Sequence, residues 1–239
     1  MVWLIMLGMS LAAIRFYDSI GAVAKLAVIS GVCCAFFDFL TTETVALVIP
    51  LAIVCCLRAR DGLIKNFMQG IKWVAWWCFL WVISYLGTLG TKWSLSSLVI
   101  GQERFSTAIA MMLGRQGAET IYAGNLSQPM AALLTNLRLM FGLTDKVTLE
   151  GLMIGVLLVA GTLSCVIYLF RKSGKACVLP GLLFVLGCIP VVRILVLNNH
   201  SLEHCFFVYR ALFSSIVCAI IGIAEVMDWS FIKKFIKRG

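Results

Sequence analysis

Residues 177–197 read CVLPGLLFVLGCIPVVRILVL, an apolar run whose one charged position is Arg193. A surface helix of a soluble protein keeps a polar face, and this run has none. A hydrocarbon core of about 30 Å takes about 20 such residues, so the run reads as a transmembrane helix. Further apolar runs lie outward from it at 2–14, 22–37, 44–57, 73–91, 151–170 and 206–227, the first short and the last interrupted by Arg210. Hydrocarbon offers no partner to backbone N–H and C=O groups, so each span is helical. The expected fold is all-α, a polytopic transmembrane helix bundle of about six or seven spans forming a single membrane domain over residues 1–239. Residues 1–14 carry neither a basic n-region nor a small-x-small cleavage site. They read as the end of a span, and the chain as the later, C-terminal part of a longer protein.

The whole chain agrees with that run. It is 62% hydrophobic and 13% charged, with a mean hydropathy of +1.01, which excludes a soluble domain of ordinary composition. The net charge of +9 is best explained by anchors beside apolar spans, so no nucleic-acid partner is expected. Most of the ten cysteines, among them Cys33, Cys34, Cys55, Cys56, Cys78, Cys165, Cys188 and Cys218, sit inside apolar runs, and none forms a C-x-x-C pair. They read as small packing residues rather than as a metal or disulfide framework.

Lysine and arginine set the orientation. Arg58, Arg60, Lys65 and Lys72 share one short connection, Arg171, Lys172 and Lys175 another, and Lys233, Lys234, Lys237 and Arg238 the tail. Alternating spans put all three on one side together with Arg15 and Lys25, and the positive-inside rule makes that side, and the C-terminus, cytoplasmic. The outer side then holds the turn 37–43, the segment 92–150 and the connection 198–205. The long segment mixes Met, Leu and Ile with Gln102, Arg104, Arg115, Asn125, Gln128 and Asn136, which suits amphipathic helices at the interface, broken at Gly114, Gly117, Gly124 and Pro129.

Three outer constellations carry chemistry. Phe36-Phe37-Asp38-Phe39-Leu40-Thr41-Thr42-Glu43-Thr44 is a tight turn that sets Asp38 and Glu43 at the bilayer edge, either as helix caps or as carboxylates facing an outer cavity. Arg193 and Arg210 flank Asn198-Asn199-His200-Ser201-Leu202-Glu203-His204, and an arginine at that depth needs an anion: Asp38, Glu203 or a lipid phosphate. A structural ion pair and a ligand-phosphate site fit equally, and snorkelling accounts for either arginine alone. His200 to His204 matches the H-x-x-E-H zinc pattern. The later acids, Glu225 and Asp228, fall at the opposite end of the last span, so no metal site is assigned and hydrogen bonding is the expected role of both histidines.

Three segments, in order and spacing, resemble bacterial polytopic membrane proteins related to the GT-C glycosyltransferases, which include protein O-mannosyltransferases. They are Phe36 to Thr41 with the run through Pro50-Leu51, then Tyr85-Leu86-Gly87-Thr88-Leu89-Gly90-Thr91-Lys92-Trp93, and Asn199-His200-Ser201 with His204 and Phe206-Phe207-Val208-Tyr209-Arg210. The resemblance covers residues 30 to 215. It implies a polyprenyl phosphosugar donor used at the outer leaflet of a bacterial cytoplasmic membrane, with Lys92, Arg193 and Arg210 on the phosphate. It also implies Asp38 as a site carboxylate and His200, His204 and Tyr209 lining the pocket; it admits a divalent metal without establishing one. The family's catalytic acid belongs to a loop upstream of Met1, so the resemblance also implies a truncated or split homologue, or a protein subunit that completes the site. The alternative is a non-enzymatic carrier subunit or assembly partner in which the outer arginines and carboxylates are structural pairs.

Overall fold

The computed structural model describes residues 1–37, 42–101, 103–116, 127–142 and 178–226, with isolated helical positions between 153 and 171. Asp38, the expected span at 151–170 and the basic tail lie wholly or largely outside the described residues. Among the described residues there is no strand, and the expectation of an all-α bundle holds. The helices are α1 (Val2–Phe16), α2 (Ile20–Phe37), α3 (Glu43–Arg60), α4 (Phe67–Ile100), α5 (Glu103–Gly114), α6 (Gln128–Met140) and α7 (Val178–Val196). The short α8 (Asn198–Glu203) and α9 (Cys205–Val208) and a 3-10 turn (Tyr209–Leu212) then lead into α10 (Phe213–Val226).

Among the described residues, four helical stretches are long and apolar enough to cross a membrane: α2, α4, α7 and the continuous stretch Cys205–Val226. They make this an integral membrane protein. α3 differs in kind. It carries Glu43, Arg58 and Arg60, yet it is buried along most of its length, from Glu43 through Ala52 and on to Val54, Cys55 and Arg58. A helix buried on every side lies at the centre of a bundle. α1 and α7 pack on it, and α2 packs on α4 while α7 packs on α10.

The contacts at the helix ends fix the order of the spans. Trp3 at the start of α1 meets Phe213 at the start of α10, with ring centroids 5.5 Å apart. The Phe67 ring at the start of α4 packs on Gly181 at the start of α7, where a Cβ would come within 2.9 Å of it. Glu43 at the start of α3 meets Arg193 near the end of α7, and Tyr17 after α1 meets Asp61 after α3. Neighbouring spans therefore alternate, and the bundle has an Arg58 end and an Arg193 end.

Close approach of helices in a membrane relies on small residues, because lipid tails remove the hydrophobic drive for association. Ala27, Gly31 and Ala35 recur at intervals of four on the buried face of α2. At Gly31 a Cβ would stand 2.5 Å from the carbonyl oxygen of Trp81. Proline is buried in α3 and in α7, and each site has a serine nearby. Pro50 lacks the N–H that would bond the carbonyl of Ala46; Ser30 Oγ donates to that carbonyl at 3.1 Å and accepts from Trp81 Nε1 at 3.2 Å. In the turn opened by Pro190, Ser215 Oγ donates to the Gly187 carbonyl at 2.7 Å.

Two boundaries differ from expectation. The span expected at 73–91 is the middle of a helix running from Phe67 to Ile100, with Asn66 capping it by accepting from the Gln69 N–H at 2.9 Å. Uninterrupted helical geometry carries it past Lys92 into the expected outer segment. That segment does contain two amphipathic helices, α5 and α6, and α6 packs against α7 and α8.

Candidate functional site

The Arg193 end gathers most of the buried polar side chains. Glu43 is the first residue of α3 and Arg193 lies in the last turn of α7. A carboxylate at a helix N-terminus and a guanidinium near a C-terminus each sit where the helix dipole favours them. Arg193 Nε donates to Glu43 Oε1 at 2.8 Å, with side-chain exposures of only 8% and 6%. Arg193 Nη1 also donates to Ser201 Oγ at 3.2 Å. Glu43 Oε2 finds no donor among the described residues.

The α7–α8 connection extends the network. The Asn136 amide of α6 donates to the Ser201 carbonyl at 2.8 Å and to its own Ala132 carbonyl at 2.9 Å. The Asn199 amide donates to the Gly114 carbonyl at 2.9 Å and accepts from Gln128 Nε2 at 3.0 Å. The His200 N–H donates to the Arg115 carbonyl at 3.3 Å. Asn198, Asn199, His200 and Ser201 are all buried. The connection is therefore a plug that ties α5, α6 and α7 together through both side-chain and main-chain groups.

The expected site residues separate into distinct environments. Arg193 is paired with Glu43, an acid other than those expected opposite it, and Asp38 lies outside the described residues. Lys92 Nζ donates to the Ala35 carbonyl at 3.1 Å and stands 5.1 Å from the Phe36 ring centroid. Arg210 is exposed, with its guanidinium carbon 5.8 Å from the ring centroids of both Phe207 and Tyr209. His200 is buried and His204 half-buried, their ring centroids 4.7 Å apart. His204 Nε2 is 4.0 Å from Glu203 Oε2, a contact that joins sequence neighbours. Among the described residues no group of three or more His, Cys, Asp or Glu side chains could hold a metal ion, so the divalent metal admitted by the resemblance has no fitting donor set there.

Beside this end, an apolar cleft of about 420 Å³ lies between α6, α7 and α10, walled by Met140, Phe141, Phe184, Val191, Leu212 and Ile216. It offers volume for hydrocarbon and little for a charged group. The role of Glu43 and Ser201 was not legible as a pairing in sequence, since 150 residues separate Glu43 from Arg193. The available signal was an acid at the first position of a span facing an arginine near the end of another. No protein-family model, curated protein or solved structure matches the chain.

Proposed function

We propose that this chain is a non-enzymatic membrane subunit, an assembly partner or carrier component, whose polar end is a structural lock. The observation that carries this reading is the Glu43–Arg193 pair: the cation best placed for a phosphate is neutralised at 2.8 Å and enclosed. The Lys92 contact with the Ala35 carbonyl supports the same view. An apolar overhang supports a partner. The 34 residues of α4 extend over about 51 Å, about 20 Å more than a hydrocarbon core. Leu95, Leu98, Val99 and Ile100 are exposed at its far end, as are Met111 and Leu113 on α5. An exposed apolar surface of this kind is normally covered, by another subunit or by the interface.

The test is retention of a polyprenyl phosphate, compared with the polyprenol of equal chain length, by the full chain in nanodiscs. A retention ratio that is unchanged in Arg210→Ala is the expected result. Strong preference for the phosphate, abolished in Arg210→Ala with insertion unchanged, would overturn the structural reading. A second reading, the polyprenyl-phosphosugar transferase completed by another subunit, is favoured by Arg210 specifically. Its guanidinium is exposed and has no carboxylate within ion-pair distance among the described residues.

A further inference from the structure

The opposite end of the bundle carries a cleft of different character. It has a volume of about 300 Å³ and is walled by Ile20 at the start of α2 and by Gln69, Lys72, Trp73 and Trp76 from the first three turns of α4. Two indoles in edge-to-face contact, with centroids 5.2 Å apart, form one wall. Gln69 is held in place: its side chain accepts from the Lys65 N–H at 2.9 Å and donates to the Leu63 carbonyl at 3.3 Å. Behind Trp73 stands Arg58, its guanidinium carbon 4.1 Å from the ring centroid and its Nε without an acceptor among the described residues.

We propose that this cleft binds the headgroup of an anionic phospholipid, with the phosphate on Lys72 and the upper acyl chain against Trp76 and Ile20. Position supports it, since both helices are candidate spans and the cleft lies at the first turn of α2 and within the first three turns of α4, the depth at which indoles and lysines meet headgroups. Charge supports it too. Asp61 is engaged by Tyr17 and Arg60, and Asp18 lies beside Arg58, whose Nη1 reaches its carbonyl, while Lys72 forms no ion pair among the described residues. The local excess is positive, and the site stands apart from the polar lock at the other end.

The experiment uses the full chain in phosphatidylcholine vesicles containing acyl-brominated phosphatidylglycerol or acyl-brominated phosphatidylcholine. Cleft quenching is the difference between the unmodified protein and Trp76→Phe. An anionic headgroup on one lysine should favour phosphatidylglycerol about fivefold. Lys72→Gln should bring the ratio close to unity, while Lys72→Arg, and Lys65→Gln outside the cleft, should keep it. Equal quenching by the two lipids, a preference retained in Lys72→Gln, or displacement by inorganic phosphate added to the buffer would overturn the proposal. Should Lys72→Gln fail to insert, the unmodified chain decides. Its preference must weaken with added salt, and a salt-independent ratio would overturn the assignment.

Discussion

An arginine near the end of a span avoids an unpaired charge by reaching for the interface or by finding an acid, and the two choices leave different energetics. Arg210 is exposed, whereas Arg193 is paired and enclosed. Breaking a buried pair by removing one partner leaves the other charge uncompensated. Arg193→Ala should therefore lower stability by about 3–5 kcal/mol, while an apolar replacement of both, Glu43→Leu with Arg193→Met, should recover most of the loss. Thermal unfolding in detergent measures both; a double variant no better than the single one would mean that Arg193 acts through something other than Glu43. At the other end, hydrogen bonds from Arg60 and Tyr17 hold the Asp61 carboxyl below its ordinary value, and the Asp61 contact pushes the Tyr17 hydroxyl up. A lowered carboxyl contributes above its unfolded value, about 3.9, and the contribution is lost as pH falls through the folded value. A raised phenol contributes below about 10 and loses that contribution as pH rises through its folded value. Protection of the amides in the loop after α3, taken relative to their intrinsic exchange rate at each pH, should thus be highest between those limits, and Tyr17→Phe should remove the alkaline change.

Helices pack here through small side chains and through polar groups that answer backbone defects. At Gly31 a Cβ would meet the backbone of α4, which moves less readily than a side chain, so Gly31→Ala should cost about 1–3 kcal/mol by overpacking. A substitution at Gly8, which has open space around it, should be close to neutral in the same unfolding assay. Ser30 answers both the carbonyl left by Pro50 and the Trp81 indole. Ser30→Ala should cost about 1–3 kcal/mol, and less in a Pro50→Ala background, where a restored N–H can reach the Ala46 carbonyl. A double-mutant cycle reads that coupling directly, and strict additivity would contradict it. The Ala27, Gly31 and Ala35 spacing could be read from sequence as a packing face. Its partner could not, because many helices present a face able to receive it.

Across the whole molecule, the alternation of spans puts Arg15, Arg58, Arg60 and Lys65 at one end and Glu43, Arg193 and the α8 plug at the other. Reporter labels at Lys65 and at Glu203 should therefore react from opposite sides of the bilayer, and labelling of both from one side would refute the span order. Sequence by itself determined that the chain is a helical membrane bundle, because apolar runs of this length leave the backbone no other way to satisfy its hydrogen bonds. The extent of α4 was not legible in the sequence, since Gly87 and Gly90 lie inside the helix without stopping it and it ends only at Gly101. What only the tertiary structure decided is which charges meet. The carboxylates expected opposite the arginines were Asp38 and Glu203, and the pairing of Arg193 with Glu43 across 150 residues depends on which helix faces which. That is settled by side-chain packing between α3 and α7, a long-range property that no local pattern of residues encodes.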